Sequence, residues 1–261
     1  MVNSNREIYL NRLSMVAEKY CESNGSSLCS VDHFSATAFR GGFMAIKVKQ
    51  KYRLANGEVC PGVTTIVQEL GWNKNMLVAW ANKLGLNGQE SRKYVDDKAS
   101  IGTLAHAFVL KDLGGEIPDT KDYTANQILL AQNCLKSYNG WKQGKKIEPM
   151  IVEKMLVSES LGCGGTPDFY GKVNDVLMLV DYKTGKGGCY PEYIVQVSAY
   201  AFMLEEIGNK VDEIRVLNIP RSNDESFSEK IITKEERKAG FAIFQHCLAI
   251  YRLKGAIKKE T

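Results

Sequence analysis

Apolar positions in the first 145 residues recur mostly at helical spacing, and beyond them mostly in short strand-like runs. Residues 5–20 place Ile8, Leu13, Val16 and Tyr20 near one face, which predicts an amphipathic helix. Residues 43–60 change period: "FMAIKVKQKYRL" alternates and "ANG" supplies turn residues before "EVC", so a β-hairpin is expected. After Pro61 a short helix is predicted in "GVTTIVQELG", capped by Thr64 or Thr65 and ended by Gly71. Longer helices follow over 74–84, 91–113 and 124–143.

The pattern turns over at Glu148. "MIVEKMLVSES", "TPDFYGKV" and "VLMLVDYKT" read as three strands in series. A helix over 191–207, a strand over 213–219 and a short strand near 227–232 come next. Thr233 and Glu236 stand at capping-box spacing and open a last helix running to about residue 257. A β-β-β-α-β core with a closing helix, behind a helical N-terminal half, is mixed α/β. The expected division is a mainly helical region with a hairpin over 1–145 and the core over 146–261.

Composition changes this picture little. Hydrophobic content of 44% and charged content of 25% suit a chain that buries a proper core. A net charge of +4 is compatible with a polyanionic partner but excludes the strongly basic make-up of a sequence-blind DNA coat. No stretch approaches a membrane span, and "MVNSNREIYLNRL" lacks the apolar core of a signal peptide, so a cytoplasmic location and no membrane partner are expected. Seven cysteines without a CxxC pair predict reduced thiols rather than a disulfide framework or zinc knuckle.

The informative residues are charges set in apolar strands. Asp168 opens one strand, and Asp181 and Lys183 end the run Val176–Val180. Alternation puts Asp181 and Lys183 on one side with Tyr182 facing away. A tight turn at Lys172–Asp175 would fold the Asp168 strand antiparallel to theirs. The two carboxylates then converge at the open end of a sheet, where they repel unless a cation sits between them; hard oxygen ligands suit Mg²⁺ or Mn²⁺. A plain ion pair of Lys183 with either aspartate is the simpler account of those three residues alone. Glu153 on the preceding strand can add a third carboxylate at the same end. Gln196 and Tyr200, four apart, share a helix face, and His106 sits among apolar residues of an earlier helix. His33 and His246 stay unassigned.

In chain order these are His, Glu, G-x-x-D, D-x-K and Q-x-x-x-Y. That order resembles the PD-(D/E)xK nuclease superfamily, and within it the RecB-type exonuclease branch, which includes phage exonucleases and the mitochondrial genome maintenance exonuclease. "CPGVTTIVQELGWNKNMLVAWANKLG" (60–85) is similar to the Pro-x-Val-Thr-Thr segment and Trp-bearing helix that precede the core there, so the resemblance spans roughly residues 52–205. It implies a restriction-endonuclease-like core, a mixed sheet flanked by helices, and a metal-dependent DNA exonuclease acting on single strands or free ends in replication, recombination or repair. Asp168, Asp181 and the Tyr182 carbonyl would hold the ion and His106 would bind or orient it. Lys183 would hold or activate the attacking water, and Gln196 and Tyr200 would orient the lysine and the scissile strand. Glu153 matches an acidic position whose role the resemblance leaves open. Some members carry an iron–sulfur cluster held by one early cysteine and a trio after the Q-x-x-x-Y helix. Here only Cys247 follows that helix, so no cluster is expected.

Phosphodiester hydrolysis gathers negative charge on phosphorus and on the leaving 3′ oxygen, which is why carboxylate-held metal and a fixed ammonium fit it. For DNA contacts, Lys47, Lys49, Lys51 and Arg53 would line one strand face, either as a phosphate-tracking ribbon or as an edge strand guarded by charge. Trp72, Trp80 and Trp141 are candidates to stack on bases, although mid-helix Trp80 suits a core. Two other readings remain: a catalytically silent DNA-binding or recombination accessory protein, and a restriction-type endonuclease.

Overall fold

The structure, a computed structural model, describes residues 51–115 and 118–259 of the 261-residue chain. The helix expected over 5–20 and the residues Lys47 and Lys49 lie outside the described residues.

Six helices and nine strands make up the described chain. In order they are β1 (Tyr52–Arg53), β2 (Val59–Cys60), α1 (Val63–Val67), α2 (Lys74–Leu86), α3 (Ser91–Asp112) and α4 (Ala125–Lys142). There follow β3 (Ile147–Val152), β4 (Leu156–Ser158), β5 (Cys163–Gly165), β6 (Phe169–Val173) and β7 (Val176–Lys183). The last are α5 (Pro191–Glu206), β8 (Glu213–Asn218), β9 (Ser228–Ile231) and α6 (Lys234–Lys259).

The α/β class is as expected, a mixed five-stranded sheet in the order β3-β6-β7-β8-β9, flanked by helices. Only the β7–β8 pair is parallel, and α5 supplies the crossover that parallel neighbours need. Strand β7 is central, so both its faces are covered and its apolar run needs no alternation. Side chains of Phe169, Met178, Val180, Tyr182 and Leu217 meet Ile101, Leu104 and Tyr138 of α3 and α4. On the other face Tyr170, Leu179, Ile214 and Val216 meet α1, α5 and α6 through Ile66, Val197, Leu204 and Phe244. The sheet thus separates two apolar clusters.

The β6–β7 turn is tighter than a four-residue reading suggests. Val173 pairs with Val176, and Asn174 and Asp175 between them take φ of 49° and 66°, the left-handed pair that matches strand twist in two-residue hairpins. That turn fixes the register Phe169↔Val180.

Two expectations need correction, and one strand was not expected. "MIVEKMLVSES" is not one strand: Glu153 takes φ 41° and turns the chain out of the sheet, so β3 stays at the sheet edge while β4 pairs with β5 elsewhere. Strand β5, "CGG", carries no strand signal because its glycines serve close approach; a Cβ on Gly164 would lie 2.1 Å from the Tyr52 ring. Neither Thr64 nor Thr65 caps α1; Gly62 occupies that position without a side-chain bond, and the segment is instead pinned by Gly164 N–H donating to Pro61 O at 2.9 Å. The capping box of α6 is present, with Thr233 N donating to Glu236 Oε2 at 2.8 Å and Glu236 N to Thr233 Oγ1 at 3.1 Å.

Candidate active site

Strand β6 ends one residue after Asp168 in the direction of the rim, where β7 continues. Beyond the last pair, Tyr182 N has no strand partner, and Asp168 Oδ2 accepts its hydrogen bond at 2.7 Å. Asp168 therefore replaces the missing ladder with its carboxylate. Its other oxygen, Oδ1, stands 3.4 Å from Nδ1 of His106, which α3 brings over the opposite edge of the rim. Glu153, at the break after β3, is held alongside because its N–H donates to the Asp168 carbonyl at 3.1 Å. One ligand atom each from His106, Glu153 and Asp168 lie within 4.8 Å of one another.

Asp181 and Lys183 project from the other face of β7, toward α5. Lys183 Nζ is 2.7 Å from Asp181 Oδ2, a buried ion pair. The ammonium also donates to Gln196 Oε1 at 3.3 Å, and Gln196 Nε2 donates to the Tyr200 hydroxyl at 3.0 Å. Tyr193 adds its ring face 4.9 Å from Nζ. Sequence reasoning missed Tyr193, although Tyr193, Gln196 and Tyr200 follow the i, i+3, i+7 spacing of one helix face.

The Tyr182 carbonyl can be located from strand geometry. Lys183 O accepts from Ile219 N at 2.8 Å on the β8 side, so the preceding carbonyl faces the β6 side, where Asp168 stands. The Tyr182 ring packs into the α3/α4 cluster, edge-on to His106 at 6.3 Å and to Tyr138 at 5.6 Å.

Electrostatics follow from this crowding. Burial pushes Asp181 up, to about 6, with Asp168 adding to the rise and Lys183 opposing it. Burial acts the same way on Asp168, but His106 and Lys183 outweigh it and hold that carboxyl below its ordinary range. Burial disfavours the Lys183 ammonium, and Asp181 and Asp168 more than restore it, so it titrates above an ordinary lysine. His106 is likewise raised, burial being outweighed by Asp168. Tyr200 is pushed far up by burial and stays a phenol.

The donor set fits a hard divalent cation: imidazole nitrogen and carboxylate oxygens at ligand spacing. Glu153 joins His106 and Asp168 in this set, whereas Asp181 is turned toward Lys183.

The expected DNA contacts are spread out. Lys51 is exposed, and Arg53 donates to Gly57 O at 2.8 Å within its own hairpin. Trp72 is 51% exposed. Trp141 is buried, its Nε1 donating to Glu229 Oε1 at 2.8 Å. Trp80 is not a core residue; α2 buries no side chain at all.

No protein-family model matches the chain, and no curated protein does. Among solved structures, a candidate exonuclease from Eubacterium rectale is similar over 60% of this chain and 68% of its own, at 11% identity and a TM-score of 0.44. An alkaline exonuclease from Laribacter hongkongensis, in complex with dAMP, is similar over 76% of this chain and 93% of its own, at 14% identity and a TM-score of 0.33. Among the described residues no helix is long and apolar enough to cross a membrane.

Proposed function

We propose that this chain is a PD-(D/E)xK-type exonuclease that hydrolyses phosphodiester bonds of single-stranded or free DNA ends with Mg²⁺ or Mn²⁺. The observation that carries the reading is the grouping of His106, Glu153 and Asp168 within 4.8 Å beside the buried Asp181–Lys183 pair. Three carboxylates against one ammonium leave excess negative charge at the rim, a poor place for a phosphate until a cation is added.

His106, Glu153 and Asp168 would hold the ion, with the Tyr182 carbonyl and Asp181 facing the same rim. A divalent ion there supplies Lewis-acid stabilisation of charge on the phosphoryl group. The chain's own residues do the rest. Asp181, Gln196 and the Tyr193 ring fix the Lys183 ammonium in place, so its charge meets the developing oxyanion without reorganisation. Tyr200 fixes which way the Gln196 amide points, since it accepts from Nε2 and leaves Oε1 for the lysine. In the net reaction water adds to phosphorus, the bond from phosphorus to the leaving 3′ oxygen breaks, and that oxygen leaves as a hydroxyl with the proton that water gives up.

The test uses end-labelled linear and covalently closed circular single strands with Mn²⁺, with EDTA, and with Asp168→Ala protein. Linear DNA degraded only by wild type with metal is the expected result. Degradation that persists in EDTA or in the variant rejects the reading, and cleaved circles convert it to an endonuclease.

A further inference from the structure

We infer that Trp80 and Tyr94 form a stacking subsite for one base of a bound single strand of DNA, about five nucleotides away from the cation site. This deepens the phosphodiesterase reading and rests on it for the identity of the ligand.

A cavity of about 1080 Å³ runs along α3. His106 and Glu153 line it at one place, Tyr94 and Trp80 at another. Tyr94 and His106 are twelve residues apart on one helix, so at 1.5 Å per residue they are separated by ~18 Å along its axis. A stacked strand rising ~3.4 Å per nucleotide covers that distance in about five nucleotides. Between the two ends the helix presents Ala99, Gly102 and Thr103, a floor of short side chains along which a backbone can pass.

The aromatic pair is placed for a ligand rather than for the core. The two rings meet edge to face at 5.7 Å and 68°, yet Trp80 is 36% and Tyr94 37% exposed. Rings that merely fastened α2 to α3 would be covered, whereas α2 buries none of its residues. Lys98 stands over the Tyr94 ring, so the part-exposed Trp80 indole is the surface offered to a base, and base–aromatic stacking tolerates any base because each has a π-face. Lys98, one turn along from Tyr94, holds its ammonium over the Tyr94 ring, 5.4 Å from the centroid, where it can meet the phosphate that flanks a stacked base. Arg221 also lines the cavity, but its guanidinium is engaged by Glu225 at 2.5 Å.

Fluorescence anisotropy with labelled oligothymidylates of increasing length, in EDTA, tests the subsite apart from catalysis. Wild-type affinity should climb until the strand reaches about five nucleotides and then level off. Trp80→Ala should lose roughly 5- to 100-fold on the longer strands, the size of one base–aromatic stack, and Trp80→Phe should regain most of it. Met76→Ala, exposed on the same helix and outside the cavity lining, should bind as wild type. If Trp80→Ala does not fold, Tyr94→Leu gives the same readout, since α3 is anchored by Ile101, Leu104 and Val109. Longer strands held equally well by the ring variants and by wild type overturn the subsite. Ring-dependent binding by a protein that hydrolyses none of these strands with Mn²⁺ upholds the subsite and rejects the hydrolase reading. Hydrolysis without ring-dependent binding does the reverse.

Discussion

Asp168 performs two tasks with one carboxylate: Oδ2 substitutes for a missing strand partner and Oδ1 faces His106. Asp168→Ala should therefore lower Mn²⁺-dependent hydrolysis by at least about a hundredfold and also loosen the end of β7, seen as faster amide exchange at Tyr182. Tyr193 separates packing from chemistry more finely. Tyr193→Phe keeps a ring face for Lys183 and should retain near-normal turnover, while Tyr193→Leu should lose about fivefold in kcat, the scale of a partly desolvated cation–π contact. Away from the rim, the buried Glu225 takes Arg221 N–H at 2.8 Å and its guanidinium as well. Burial raises this carboxyl, and the Arg221 bonds more than reverse that, leaving it below 4.5. A depressed acid stabilises the fold above its free value and loses that contribution as pH falls through the folded one. Glu225→Gln should therefore cost about 2 kcal/mol at neutral pH, and its Tm deficit should close toward acid pH. Of the residue-level picture, the D-x-K and Q-x-x-x-Y contacts were legible because fixed spacing on a strand or helix implies a shared face. Glu153 was expected at the same sheet end and the resemblance put His106 at the ion, but spacing alone showed neither the positive φ that turns the chain at Glu153 nor the reach of a helix from the other layer.

At the scale of elements, period and punctuation located α3, α4, α5 and α6 to within a residue or two, because each is long and bounded by turns or a cap. The failures fall where glycine replaces a side-chain signal. Strand β5 is such a case: its glycines exist so that aromatic rings can lie against the backbone, and hydropathy does not record an approach. A Cβ at Gly165 would stand 2.5 Å from Cε1 of Tyr200. Gly165→Ala should push that ring, disturb the Gln196 amide it orients, and lower both Tm and kcat, with a stability loss of about 1–3 kcal/mol. Restoration of kcat by Tyr200→Phe in the same chain would contradict this account, because it removes the hydroxyl that Gln196 needs.

For the molecule as a whole, the rim draws on both apolar clusters. His106 comes with α3 on one face of the sheet, and Gln196, Tyr200 and Tyr193 with α5 on the other, while Asp168, Asp181 and Lys183 come from the sheet between them. A cation bound to the native arrangement and not to the unfolded chain should raise stability by ~2.7 kcal/mol at a hundred times its Kd. Calorimetry should show Tm rising with Mn²⁺ in wild type and not in His106→Ala. Because His106 comes with α3 and the residues that hold Lys183 come with α5, loss of packing on the α3 side would abolish ion binding, whereas loss of packing on the α5 side would free the ammonium and leave the ion's ligands in place. Turnover, which needs both the ion and the ammonium, is then a gauge of how well two separately packed layers stay aligned across the wall that divides them, while metal affinity reports on one layer alone.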